Sequence, residues 1–204
     1  MAKQQSQTRI QKKNKEVIRE AALDVFSTYG FRGSTLDQIA AAAGLSKPNL
    51  LYYFRSKDAI HIDLLSILLK TWLDPMREID PEGDPKTEIL SYMKRKLAMS
   101  RRFPRESRLF AMEIMQGAPR IHDHLTGELK DLVDHYGKLF QNWMDAGKLA
   151  QSDPRHLIFS IWTLTQHYAD FDVQIRAVLG GETDFEGAEQ FLETLYGKLL
   201  SVDE

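Results

Sequence analysis

Apolar residues recur every three or four positions along nearly the whole chain, and alternation of apolar with polar residues is nowhere sustained. That period predicts amphipathic helices rather than strands, and no Asn-Gly or Asp-Gly hairpin signal interrupts it. Val17, Ile18, Ala21, Ala22, Val25 and Phe26 form the stripe of a first helix from about Lys12 to Tyr29, with Gly30 as its stop. Ser34 or Thr35 caps a short second helix, Leu36 to Ala42, and Thr35 with Gln38 has capping-box spacing. Gly44 breaks that helix, and Ser46 caps a third reaching about Tyr53. Ser56, with Asp58 in the following turn, opens a fourth and longer helix to about Arg77.

The helical period continues past Asp80-Pro81-Glu82-Gly83. Asp84-Pro85 and Asp153-Pro154 each place a capping carboxylate ahead of a proline suited to a first helical turn. The pattern predicts helices near 85–102, 105–116, 119–146, 154–179 and 185–200, about nine in all. Leu157, Ile158, Phe159, Ile161, Trp162 and Leu164 leave the helix 154–179 almost no polar face, so it needs cover on every side. In the last helix Phe185, Ala188, Phe191, Leu192, Leu195, Tyr196 and Leu199 form one stripe. The expected fold is all-α. Residues 1–55 make an N-terminal arm and a three-helix unit, and residues 56–204 make a larger helical bundle.

Composition narrows the chemistry. The 204 residues contain no cysteine, which excludes disulfides, thiolate metal sites, iron–sulfur clusters and a cysteine nucleophile. No apolar run approaches the ~20 residues of a membrane span. Met1 to Asn14 is polar and basic, unlike a secretory leader, so a cytoplasmic protein is expected. The net charge of −2 hides an asymmetry: residues 1–60 hold ten Lys/Arg and five acids, whereas the remainder holds seventeen bases and twenty-four acids. A basic N-terminal segment on an acidic body suits contact with a polyanion through one part only, unless the imbalance is chance.

Two short helices joined by Ala43-Gly44-Leu45, after a longer first helix, have the helix-turn-helix arrangement, in which glycine permits the tight turn. Leu36, Ile39, Ala40, Ala43, Leu45 and Leu50 supply its core. The second helix of such a pair lies in a DNA major groove with its N-terminal residues toward base edges. Ser46, Lys47, Pro48 and Asn49 occupy that end, Tyr52 and Tyr53 follow one turn later, and Thr35, Ser56 and Lys57 flank it.

At this point the sequence resembles the TetR family of bacterial repressors. Ala21-Ala22, Phe26, Tyr29-Gly30-Phe31, Thr35, Ile39-Ala40, Ala43-Gly44-Leu45-Ser46, Leu51-Tyr52-Tyr53-Phe54 and Lys57 carry the likeness in register over residues 16–62. Pro48 stands where that family commonly has a small residue, and Tyr53 departs from its usual histidine before the phenylalanine. Further stretches, including Ser107-Arg108-Leu109-Phe110, Gly117-Ala118-Pro119 and Ile161 to Phe171, are similar to the branch that contains a pyrimidine-utilisation repressor. The resemblance implies a homodimer through the last two helices, a palindromic double-stranded operator, no cofactor, and a small planar effector such as uracil or thymine. The DNA contacts it implies are Thr35, Ser46, Lys47, Pro48, Asn49, Tyr52, Tyr53 and Lys57.

Within the apolar helix, Thr165-Gln166-His167-Tyr168 needs hydrogen-bond partners, because an unpaired buried polar group costs roughly 1–3 kcal/mol. A glutamine amide sets a donor beside an acceptor, which matches the imide edge of a uracil ring. Gln166 and His167 are therefore expected to read the effector's polar edge, with Trp72 and Trp162 stacked on its faces and Tyr168 and Phe171 as further flat walls. Satisfied polar groups at a dimer seam and ordinary core packing are the plainer alternatives. The fourth helix is the expected lever between the two parts. Two rival functions remain: a metal sensor built on His122, His124, Glu128, Asp131, Asp134 and His135, and a DNA-architectural protein without effector. No nucleophile-elbow or phosphate-loop motif points to an enzyme.

Overall fold

The computed structural model describes residues 9–202. Of the basic segment expected as an arm or tail, residues 1–8 lie outside the described residues, while residues 9–14 belong to the first helix. That helix, α1 (Arg9–Gly33), is interrupted at Gly30, whose φ of 68° and ψ of 171° no ordinary helical residue adopts. There follow α2 (Leu36–Ala42), α3 (Lys47–Tyr53), α4 (Lys57–Arg77), α5 (Pro85–Arg102) and α6 (Pro104–Met115). The next run, α7, is composite: one α turn at His122–His124, a π-helical turn at Leu125–Leu129 and an α segment at Lys130–Asp145. The chain closes with α8 (Pro154–Asp170), α9 (Asp172–Leu179) and α10 (Phe185–Leu199). Among the described residues there is no strand.

Caps set the starts as their chemistry requires. Ser56 Oγ accepts from Ala59 N at 3.0 Å, Asp84 Oδ2 from Thr87 N at 2.9 Å, and Asp153 Oδ1 from Arg155 N at 2.8 Å. Two expectations fail. The helix expected over 119–146 begins only at His122, because Gly117 and Ala118 both take left-handed backbone (φ 86° and 53°). The helix expected over 154–179 is two helices, broken at Phe171 (φ −113°, ψ 24°). There the carboxylates on either side turn to distant partners: Asp170 accepts from Ser107 Oγ, and Asp172 accepts from Thr183 Oγ1 at 2.6 Å.

Two apolar cores result. Ile18, Phe26, Ile39 and Leu50 of α1–α3 pack with Ile60 and Leu65 of α4, and with Leu109, Ala118 and Ile121 from α6 and the turn after it. The second core joins Ile89, Tyr92 and Met93 of α5 to Phe140 of α7, Ile158 of α8 and Tyr196 of α10. α4 runs between them, giving its first half to one and Met76 to the other. The apolar helix 154–170 is not covered all round: Phe159 stays exposed, as do Phe191, Leu195 and Leu199 of α10.

Candidate DNA interface and effector cavity

The α2–α3 unit is built as the turn chemistry dictates. Gly44 holds φ 67°, and Leu45 N closes the turn on Ala40 O at 2.9 Å. Thr35 and Gln38 form the reciprocal capping box: Gln38 N donates to Thr35 Oγ1 at 3.2 Å, and Thr35 N donates to Gln38 Oε1 at 2.8 Å. Ser46 caps α3 by accepting from Asn49 N at 3.4 Å. Leu50 is fully buried, which fixes the roll of α3 and leaves Lys47, Pro48, Asn49 and Tyr52 exposed on its outer side. Lys47 Nζ reaches Asp37 Oδ2 at 2.9 Å, an exposed pair of the kind worth little in water and easily exchanged for a phosphate.

The other sequence candidates are placed differently. Thr35 spends its hydroxyl on the cap, donating to Gln38 Oε1 at 3.0 Å. The Tyr53 hydroxyl is half-buried and accepts from Asn14 Nδ2 at 2.6 Å, while exposed Tyr52 packs edge-on against its ring at 5.0 Å. Lys57 turns inward: its amine donates to the carbonyls of Phe31 (2.7 Å) and Ser34 (2.6 Å) and lies 4.3 Å from the Phe31 ring centroid. An amine so placed ties α4 to the α1–α2 connection.

A cavity of about 580 Å³ opens among α6, the π turn and α8, lined by Phe110, Ala111, Leu125, Leu129, Trp162 and Gln166, with Arg108, Asp170 and Phe171 also on its wall. A smaller chamber of about 50 Å³ adjoins it through Phe110, Leu129, Trp162 and Gln166, and reaches Trp72 and Lys96. Trp162, Gln166 and Asp170 share this face because they are four residues apart on α8. His167 and Tyr168 do not line either space, which corrects the expectation that they meet the effector. Rotated about 100° and 200° from Gln166 at 3.6 residues per turn, His167 is exposed and stacks on Phe171 (4.9 Å), and Tyr168 packs toward Phe185 (6.1 Å). Trp162, Gln166 and Phe171 line the larger space, and Trp72 lines the small chamber beside it.

The polar end of this space holds groups without settled partners. Trp72 Nε1 is buried with no hydrogen-bond partner among the described residues, whereas Trp162 Nε1 donates to Tyr92 Oη at 2.6 Å. Lys96 is almost wholly buried, its amine 5.4 Å from the Trp72 ring centroid. Burial brings that amine down to about 7, with the Asp170 carboxylate pulling the other way. Desolvation in turn pushes the Asp170 carboxyl up, against the Ser107 hydroxyl that donates to it and nearby Arg108. The sequence reading missed Lys96, although Ile89, Tyr92, Met93, Lys96 and Leu97 share one helical stripe, a spacing that marks an inward-facing charge.

Two of the acidic residues weighed as a metal site are engaged in ion pairs. Asp134 pairs with Lys130 and, at 2.9 Å, with Arg155, and Glu128 pairs with Arg77 at 2.7 Å. Among the described residues no three His, Asp or Glu side chains converge as metal ligands do.

Comparison with known proteins is consistent across most of the chain. Residues 18–64 match the family model of bacterial regulatory proteins, tetR family, and residues 65–203 match that of the YcdC-like protein, C-terminal region. The HTH-type transcriptional regulator RutR of Escherichia coli strain K12 is 51% identical over 166 residues, covering 81% of this chain and 78% of that protein. Among solved structures, a bacterial regulatory protein in the tetR family from Rhodococcus RHA1 superposes with a TM-score of 0.79 at 14% identity, over 94% of this chain and 99% of the other. AibR in complex with isovaleryl coenzyme A and operator DNA gives 0.70 at 17% identity, over 92% and 98%. At those identities the two structures speak for the fold.

Proposed function

The chain belongs to the TetR family of bacterial regulators, a DNA-binding and ligand-responsive transcriptional regulator rather than an enzyme, and from that premise we propose that its effector is a pyrimidine base, uracil or thymine, held in the cavity against Gln166. The observation that carries this reading is the donor-rich end of the cavity. Trp72 Nε1 lacks a partner and the Lys96 amine borders the same chamber, so a guest that offers carbonyl oxygens relieves both. The Gln166 amide, which sets a donor beside an acceptor, suits the N–H and C=O of an imide edge. Phe110 and Trp162, which line both spaces, are aromatic side chains of the kind on which a flat base stacks.

On the DNA side we propose a repressor that reads a palindromic operator with Ser46, Lys47, Pro48, Asn49 and Tyr52, one α3 per half-site, the half-sites ~34 Å apart or a multiple of it. Thr35, Tyr53 and Lys57 hold that helix in place. Division of labour falls between residues 1–55, which meet DNA, and 56–204, which sense the effector and pair with a second copy. Exposed Phe159, Phe191, Leu195 and Leu199 on α8 and α10 support a homodimer through those helices. Among the described residues no helix is long and apolar enough to cross a membrane, and a regulator of operator DNA works in the cytoplasm.

Titration calorimetry with uracil, thymine, cytosine and adenine tests the effector. Uracil or thymine is expected to bind at micromolar levels, and cytosine, which replaces one carbonyl by an amine, at least tenfold more weakly. Gln166→Ala should cost a further tenfold or more, in line with a lost hydrogen bond and the partner it strands (~1.5–3 kcal/mol). Equal binding of all four bases, or of none, would discard the pyrimidine.

A further inference from the structure

One ion-pair cluster outside both sites joins them. α6 leaves its last turn through Gly117 and Ala118, and Ala118 is the one non-glycine residue among those described with left-handed backbone (φ 53°). Such a conformation persists only where its surroundings hold it. Ala118 N donates to Glu113 O at 2.9 Å, and its methyl is buried in the N-terminal core. Arg120 then folds back over the turn. Its backbone N donates to Glu113 Oε1 at 2.8 Å and its Nη1 to Glu113 Oε2 at 3.1 Å. Its Nε donates to Asp58 Oδ1, in the first turn of α4, at 3.1 Å. The guanidinium lies 3.5 Å from the centroid of the Phe31 ring, in the last turn of α1 beyond its Gly30 break.

One side chain therefore ties three places together: the end of α6, the start of α4 and the segment that leads into the DNA-reading unit. Glu113 is buried, with His61 Nδ1, which has no hydrogen-bond partner among the described residues, 3.9 Å away. A carboxylate so enclosed needs the guanidinium, since a buried charge without a partner is costly. The Phe31 ring is held by Lys57 as well, whose amine also fixes the Phe31 and Ser34 carbonyls. Meanwhile a different face of α6, through Phe110, Ala111 and Ile114, forms wall of the effector cavity. A guest that pushes on that wall pushes on the C-terminal half of α6, the end that Arg120 fastens through Glu113.

We propose that Arg120 is the positioning residue that converts occupancy of the cavity into a setting of the α2–α3 unit, touching neither effector nor DNA. This rests on the regulator reading given above, and its test does not require the effector to be a pyrimidine. The Ala111→Phe substitution fills the cavity from α6 and serves as a built-in guest. Operator affinity is measured by fluorescence anisotropy for the parent protein, Ala111→Phe, Arg120→Met and the double variant, each with and without saturating uracil.

With Arg120 present, Ala111→Phe and uracil are each expected to shift operator affinity tenfold or more. With Arg120→Met, each shift should shrink to threefold or less, while uracil affinity of the free protein stays within threefold of the parent. Losses that simply multiply in the double variant overturn the proposal, since they would mark a structural role with no coupling. It is likewise overturned if neither perturbation shifts the parent protein. An Arg120-dependent shift from Ala111→Phe with none from uracil sustains the coupling and removes the pyrimidine instead. If Arg120→Met fails to fold, Arg120→Lys replaces it: charge is kept, the planar bridge from Glu113 to Asp58 and the stacking on Phe31 are lost, and the same shrinkage is expected.

Discussion

Lys96 shows how one burial fixes a measurable behaviour. An amine held at about 7 by desolvation is half charged near neutrality, and only its charged form offers three donors to a carbonyl. A guest that accepts from it favours the ammonium and raises its pKa, so binding takes up a proton. The sign follows directly. Below pH 7 the amine is already charged and effector affinity is flat, whereas above pH 7 each unit should weaken binding by up to ~10-fold, or ~1.4 kcal/mol. Asp170 is the carboxylate that offsets the burial, and it sits on the cavity wall as well. Calorimetry between pH 6 and 8.5, in buffers of different ionisation enthalpy, should show this slope together with proton uptake. Lys96→Met should give a flat profile, and a parent protein equally flat would remove Lys96 from the site.

At the scale of elements, what the sequence disclosed and what it concealed have separate physical origins. Caps are local, so Thr35 with Gln38, Ser46, Ser56, Asp84 and Asp153 could be read off directly, and each start was placed within a residue. Gly30 and Gly44 were legible for the same reason, since a left-handed residue is a local demand. The break at Phe171 was not, because the apolar stripe runs through it and the contacts that settle it, Ser107 with Asp170 and Thr183 with Asp172, are remote. Lys57 was misread for a related reason: a basic residue beside a DNA-binding helix suggests phosphate, but two carbonyls across a turn claim its amine. Of the cavity wall, the smaller part, on α8, was visible; the larger part, on α6 and the π turn, depends on how helices meet.

The reading helix itself yields a sharp expectation. Its buried Leu50 sets the outer face, so Lys47 and Tyr52 point away from the protein's own core. Lys47→Ala removes one phosphate contact at most, since it deletes a single ammonium, which in the free protein rests on the exposed Asp37. Operator affinity should fall by a similar factor on any duplex, and the salt dependence should flatten by roughly one unit of slope. Asn49→Ala, by contrast, should relax preference at one operator position, at a cost of ~1–3 kcal/mol, and leave that slope unchanged. Gel-shift titrations at several salt concentrations on the operator and on a scrambled duplex separate the two. If both variants lose affinity identically on both duplexes, α3 reads backbone only.

For the whole molecule, charge and apolar surface lie at opposite ends of the argument. Residues 1–60 carry the basic excess and the rest the acidic one, so repulsion from DNA orients the body outward while the first sixty residues approach it. The exposed apolar side chains of α8 and α10, Phe159, Phe191, Leu195 and Leu199, lie in that acidic part. Covering each is worth on the order of 1.5 kcal/mol or more, and a two-fold axis counts every one twice. Phe191, the most exposed of the four at 59%, is the place to test the proposed pairing. Given that pairing as the premise, Phe191→Glu removes two rings from the seam and sets two carboxylates against each other there. A loss of ~3 kcal/mol, or ~100-fold in dimer dissociation constant, is the expected result. Light scattering after size exclusion should then find monomer at micromolar concentration, with helix content unchanged because the ring faces solvent in the protomer. Operator binding should lose its cooperativity, each half-site being read alone and weakly. A variant that remains dimeric, or a parent protein that never was, would move the partner surface elsewhere.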